Sequence, residues 1–301
     1  PQTIRDYYTQ WYRPELMAVA VVGDVSVKQV EALIRKKFSA LSGPSGQPAT
    51  AALPSIPEYT TEEARIATTP GVRQPEFDIL MLLPQPPAVQ TADDYRQYLQ
   101  RSLLNSLMKQ RFNALSFDDP AYERGSVQYS RLFGSTGAID ASVQLAKGRV
   151  RQGIRDFIVA YQQILHYGFT QWEIARAGKS LLSKLRTKAA DGQVESSASL
   201  MDEIYTDFYD GNLLISRADE LALVEKYLPQ MDSLSMLQYM RRVFETRPQH
   251  YLLRGGEEVR QEVSDEADLT MLIDDLAVYL LLKSSAFTAL RLWPPKGVDG
   301  A

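Results

Sequence analysis

The chain has 301 residues, no cysteine, two histidines and a formal net charge of −4. The missing thiols exclude disulfides, thiolate metal sites and cysteine nucleophiles, and the mild negative balance excludes long-range attraction to nucleic acid or anionic lipid. Hydrophobic content of 45% and charged content of 23% are those of a globular protein, and the length suits one large or two ordinary domains.

Pro1-Gln2-Thr3 leads straight into a helical pattern in which Ile4, Tyr7, Tyr8 and Trp11 recur. The expectation is an internal piece of a longer polypeptide, with any targeting segment upstream. Arg13-Pro14 stops the helix, because proline disfavours helical geometry in the residue before it. The Val-rich run at 17–22, bounded by Pro14 and Gly23, predicts a buried strand. Ser26-x-x-Gln29 has the form of a capping box, and Val27, Val30, Leu33, Ile34 and Phe38 line one helical face. Residues 42–57 are rich in Gly, Pro, Ser and Ala without apolar period, and predict a linker.

Strands are predicted at 64–68 and 77–83. A helix capped by Thr91-x-x-Asp94 follows, with a stripe of Tyr95, Tyr98, Leu99, Leu103, Leu107, Met108 and Phe112. Residues 126–133 and 138–145 alternate apolar and polar around Gly134-Ser135-Thr136-Gly137, the pattern of a hairpin. A helix with Val150, Ile154, Phe157, Ile158, Tyr161 and Leu165 runs to Gly168. Thr170-x-x-Glu173 is a second capping box, opening a helix to about 188. Helices near 194–209, 217–228 and 233–245 and a strand at 250–254 complete the series. Strands and helices do not alternate one for one, so the class is α+β.

Helix, Arg13-Pro14, apolar strand and Gly23 recur as helix, Arg247-Pro248, Tyr251-Leu252-Leu253 and Gly255. This is either common punctuation or the shared ending of two domains of one fold.

Tyr12-Arg13-Pro14-x-x-Met17, the Val-rich run, Gly23-Asp24 and the helix ending at Phe38 resemble the pitrilysin/insulinase family of zinc metallopeptidases. The hairpin tip from Gly134 to Asp140 and Gly168-Phe169-Thr170-x-x-Glu173-Ile174-x-x-Ala177 extend the similarity, which covers roughly residues 1–256. The resemblance implies a mixed, largely antiparallel sheet with helices packed on one face. It implies that 1–41 is the tail of a catalytic-type first domain, 42–57 a linker, 58–256 a non-catalytic second domain, and 257–301 a tail or connection toward the next half. The parent protein would be a zinc-dependent peptidase, with this segment forming chamber wall and holding peptides by shape and backbone contacts, for instance at a strand edge. The alternative is an inactive homologue acting as assembly partner or binding module. Partners are then peptide substrates through the parent, and the rest of the same polypeptide or a homologous subunit. Exported members of the family would suit the missing cysteine.

The family's active site is His-x-x-Glu-His on a helix, two imidazoles on one face with a Glu between them. His166 and His250 lie in no such motif. No catalytic, cofactor-binding or metal-binding residue is therefore assigned in this chain, and zinc is expected in the parent only. The acidic doublets Glu62-Glu63, Asp118-Asp119 and Asp274-Asp275 are read as solvated surface or helix caps, because adjacent residues do not share a helical face. Tyr205, Phe208 and Tyr209 fall at helical spacing and are read as core packing, although a peptide-binding wall would use the same residue types. The apolar run at 276–282 is too short to span a bilayer.

Overall fold

The computed structural model describes residues 2–43, 56–57, 59–115, 121–133, 135–190, 196–244 and 247–283. Two amphipathic helices come first, α1 (Gln2–Trp11) and α2 (Val27–Phe38), and neither buries a single side chain. Between them, residues 17–22 form no ladder, and Met17, Val19 and Val21 are exposed. The predicted strand is thus extended chain without a neighbour, since a strand exists only where another backbone satisfies its N–H and C=O groups. Ser26 does stand at the N-cap of α2, but its side chain makes no capping bond.

The body is one sheet in the order β1-β5-β2-β4-β3, with β1 (Glu63–Thr68), β2 (Glu76–Pro84), β3 (Tyr122–Phe133), β4 (Thr136–Leu145) and β5 (His250–Gly255). Only β1 and β5 run parallel, and the other three pairings are antiparallel. The helices are α3 (Ala92–Leu115), α4 (Val150–Tyr167), α5 (Gln171–Ala189), α6 (Ser197–Asp210), α7 (Arg217–Tyr227), α8 (Ser233–Phe244) and α9 (Glu266–Lys283). This is the expected α+β arrangement. The period-two pattern explains its layering: Phe77, Ile79, Met81 and Leu83 of β2 and Ile139, Ala141, Val143 and Leu145 of β4 all face the helices and are buried. Leu99, Leu103, Leu107 and Phe112 of α3 and Ile154, Phe157, Ile158 and Tyr161 of α4 meet them in the same core.

The echo of the first strand behaves differently from the first. β5 is an interior strand with β1 and β2 on its flanks, so the same local pattern becomes a strand where neighbours exist. Nor does the core stop at 256: Val259, Val263, Leu269, Leu272 and Ile273 belong to it.

Both sheet edges are partly closed by side chains. At β3, Asn105 of α3 donates its amide N–H to the Tyr129 carbonyl at 3.0 Å and accepts the Tyr129 N–H at 2.9 Å. At β1, the Ile66 N–H donates to the Glu266 carboxylate of α9 at 3.2 Å. An exposed edge is a template for unwanted pairing, and these contacts occupy it.

α3 and α5 are joined by a largely buried ion pair. Nε and Nη2 of Arg111 donate to Oε1 and Oε2 of Glu173 at 2.6 and 2.7 Å, with side-chain exposures of only 10% and 12%. Glu173 also completes the predicted capping box, accepting from the Thr170 N–H and hydroxyl. Gly168 turns the chain into this cap at φ 70°, in the left-handed region that favours glycine.

Two stability outcomes follow from this packing. Arg111→Ala leaves the Glu173 carboxylate unpaired in a nearly dry site, and is expected to cost about 3–5 kcal/mol by urea titration. Glycine to alanine usually helps a helix interior. At Gly153 of α4, however, a Cβ would sit 2.5 Å from the Ala121 carbonyl oxygen and 2.7 Å from Leu145 Cδ2. Gly153→Ala is therefore expected to destabilise by about 1–3 kcal/mol, read from the same titration.

Candidate functional site

The two histidines sit in separate settings. His166 occupies the last turn of α4, edge-on to Tyr167, and its carbonyl accepts from Arg241. His250 opens β5 and stacks on Tyr59. Among the described residues, no group of three or more His, Cys, Asp or Glu could hold a metal ion, so the donor set present does not fit zinc. Glu62, Glu63, Asp274 and Asp275 are exposed, with Glu63 paired to Arg65. Asp118, Asp119 and Gly134 lie outside the described residues. No described helix is long and apolar enough to cross a membrane.

Two broad surfaces are open to a ligand. The first is the sheet face turned away from the helices. The period that buries Phe77 and Ile79 turns Glu76 and Asp78 outward on β2, Asp140 and Ser142 on β4, and His250 and Arg254 on β5. Arg254 ties this face together. It lies directly across from Glu76 in the ladder and pairs with Glu76 at 3.1 Å and Asp78 at 2.8 Å. The Ser142 hydroxyl donates to Glu76 at 2.7 Å. Burial, and then the neighbouring Asp78 charge, push the Asp140 carboxyl above the ordinary carboxylate range, with Arg254 opposing. The face is thus mixed, its charged cluster standing beside the half-buried Leu80, Leu82 and Leu252 that the same period turns outward.

The second surface is a cleft of about 750 Å³ between α3, α5, α6, α7 and the segment after β2. That segment is strung to the turn after α6: the Val89 N–H donates to the Asn212 side chain and the Leu213 N–H to the Val89 carbonyl, each at 2.8 Å. Arg217 reaches Glu203 at 2.6 Å and Glu220 at 3.4 Å, and the buried Tyr95 hydroxyl donates to Glu220 at 3.3 Å. Burial, reinforced by Glu220, drives the Tyr95 phenol upward.

α6 corrects the expectation for its aromatics. It buries no residue. Asp202, Glu203, Asp207 and Asp210 face the cleft, while Tyr205, Phe208 and Tyr209 are 61%, 58% and 63% exposed. Helical spacing defines a face but not which side the body lies on. The cleft takes the polar side, because Arg217 and Arg131 wait there for carboxylates.

The family described as peptidase M16 inactive domain matches residues 1–181. The probable zinc protease PqqL of Haemophilus influenzae is 22% identical over 234 residues, covering 76% of this chain and 24% of that protein. The zinc protease PQQL-like protein of Arabidopsis thaliana is 25% identical over 244 residues, covering 80% of this chain and 22% of its own length. The first half of the periplasmic protease PqqL from Escherichia coli superposes with a TM-score of 0.83 at 17% identity, over 92% of this chain and 59% of that one. The chain thus spans about a quarter of the length of these zinc-protease relatives.

The Asp140 environment yields a pH expectation. An acid whose folded pKa is raised holds its proton more tightly in the folded state, so its destabilising effect is absent at low pH and grows as pH rises through the carboxylate range. Asp140→Asn should therefore raise the melting temperature at pH 7, with the gain vanishing below about pH 4, the ordinary aspartate range.

Proposed function

Because the chain belongs to the peptidase M16 inactive-domain family, we propose that it works as the non-catalytic wall of a larger zinc-dependent peptidase. In this reading residues 1–41 are the tail of a preceding catalytic-type domain, residues 42–57 a linker, and residues 58–256 the second domain, with residues 259–273 packed back onto it. The metal and the general-base carboxylate belong to the preceding domain. There the zinc supplies Lewis-acid activation of the hydrolytic water. This chain contributes a peptide-binding surface and no reacting group.

The observation that carries the reading is the joint match of the family over residues 1–181 and of the fold to 59% of the first half of a protease. A second feature supports the domain assignment. The apolar stripes of α1 and α2, Ile4, Tyr7 and Tyr8 with Val27, Leu33 and Phe38, find no cover on the body. The run at 17–22 likewise has no strand beside it among the described residues. Both are what remains of a sheet-and-helix domain whose other elements lie elsewhere. The closed edges at Tyr129 and Ile66 argue against peptide capture by strand addition at those points. They favour the cleft and the outward sheet face instead.

The test uses a quenched fluorescent peptide. The 301-residue chain should neither cleave it nor retain zinc after dialysis. The parent polypeptide carrying His-x-x-Glu-His should cleave it and stop on chelation. Chelator-sensitive hydrolysis by the 301-residue chain itself would sink the proposal. A parent without that motif that still assembles with an active subunit would shift the role to that of a partner.

A further inference from the structure

Beside the larger cleft lies a smaller cavity of about 340 Å³, formed where α3, the Pro86-Pro87 segment, β3 and α8 converge. Its polar lining is Arg96, Gln97, Gln100, Arg101 and Arg242 with the phenols of Tyr129 and Tyr239. No Asp or Glu is among the residues that line it. In a chain of net charge −4, three guanidinium groups around one cavity make a local positive field that a negative ligand would meet.

The guanidinium groups differ in what holds them. Arg96 is paired with Asp93 at 2.9 Å. Arg101 lies over the rings of Tyr98 and Tyr129, 5.5 and 5.8 Å from their centroids, and Arg242 over Tyr239 at 5.8 Å. A guanidinium held near a ring by cation–π attraction spends no hydrogen bond on it, so its N–H groups stay available to an oxyanion. Among the described residues neither Arg101 nor Arg242 has a carboxylate partner. Both act on the Tyr239 phenol, partly offsetting the burial that pushes it up to about 12.

Gln100 adds an independent signal. It is 9% exposed, yet neither its amide N–H nor its carbonyl has a hydrogen-bond partner among the described residues. Its polar atoms are not sealed in, and the side chain lines the cavity. An amide on a largely buried side chain whose polar atoms open only onto a cavity is completed there by water or by a ligand that replaces it.

We propose that this cavity binds the C-terminal carboxylate of a peptide, with Arg101 and Arg242 taking the carboxylate oxygens and Gln100 bonding the adjoining peptide group. The amide decides between oxyanions. Gln100 presents a donor and an acceptor together, and a peptide group answers both, whereas inorganic phosphate is mostly acceptor. The volume is at the low end of small-molecule pockets and leaves space beyond an oxyanion for the backbone that carries it. Pro86, Pro87 and Val243 supply apolar wall for that backbone. The inference concerns binding by this chain alone and stands whether or not the parent cleaves peptides, so its failure and that of the peptidase reading are separately visible.

The experiment is a titration of the whole 301-residue chain at low ionic strength, by calorimetry and NMR shift mapping, with three probes. These are N-acetyl-Ala-Ala, its C-terminal amide, and inorganic phosphate. N-acetyl-Ala-Ala should bind, and phosphate more weakly. The amide should lose at least about tenfold in affinity, the scale of one charge-assisted contact. Arg242→Ala, an exposed position that leaves the core intact, should weaken the acid by a similar factor and leave the melting temperature unchanged. Arg101→Lys, which keeps charge but loses the fork, should weaken it too. Equal binding of acid and amide, phosphate binding as tightly as the acid, or an unchanged affinity in Arg242→Ala would each overturn the proposal.

Discussion

The bond between Arg111 and Glu173 is the constraint on which the helical layer depends. A buried ion pair holds only when its remaining hydrogen-bonding capacity is also met, because desolvation otherwise outweighs the attraction. Here Glu173 takes two N–H bonds from Arg111 and two further bonds from Thr170, at the first turn of α5. The negative carboxylate also sits at the positive end of that helix. Arg111 in turn lies over the ring of Phe169, which is buried beside the turn at Gly168. The start of α5 is thereby fixed against α3, and α7 is then laid against α5, with Arg186 and Glu225 bonded at 2.7 Å across the outer rim.

α3 is consequently the spine of the body, and one helix serves four purposes by its faces. Leu99, Leu103 and Phe112 enter the core. Arg111 sets α5. Asn105 occupies the β3 edge at Tyr129. Arg96, Gln100 and Arg101 face the small cavity. Rigid support on one element is what a binding constellation needs, since side chains on a packed helix hold their geometry better than side chains on loops. The charged cluster on the sheet has the same quality, because Arg254 and the carboxylates it pairs with stand on two adjacent strands held in register.

Much of this body was legible in the sequence, for a physical reason: where burial follows a period, the pattern declares it. Phe77 to Leu83 and Ile139 to Leu145 alternate because one side meets helices, and Thr170-x-x-Glu173 forms the complete capping box its spacing predicts. The failures share a cause as well. The run at 17–22 has strand composition, but composition cannot supply the neighbouring backbone. Tyr205, Phe208 and Tyr209 have helical spacing, but spacing cannot say that Arg217 and Arg131 draw the opposite side of α6 inward. The small cavity was not legible at all. Its parts come from residues 86–101, 129 and 239–243, and nothing local in any of those stretches marks an amide left without a partner. The absence of His-x-x-Glu-His, by contrast, is a statement about order along the chain, which sequence reads directly.

The exposed apolar surfaces separate into two kinds. On α6 the three aromatics touch one another, with Tyr205 and Tyr209 4.4 Å apart at their centroids, and the helix is anchored by ion pairs along its other side. Its position does not depend on covering those rings. α1 and α2 have no such anchor, for they bury nothing. A short helix in water draws most of its stability from packing of its apolar face, and a segment of about forty residues rarely builds a core alone. Their stripes therefore need a surface that the body does not offer. In the proposed assignment that surface is the rest of the preceding domain, which would also bring a backbone alongside residues 17–22. The same missing neighbours then account for both departures from the predicted pattern, the unpaired strand and the uncovered helices, without any change in the residues themselves.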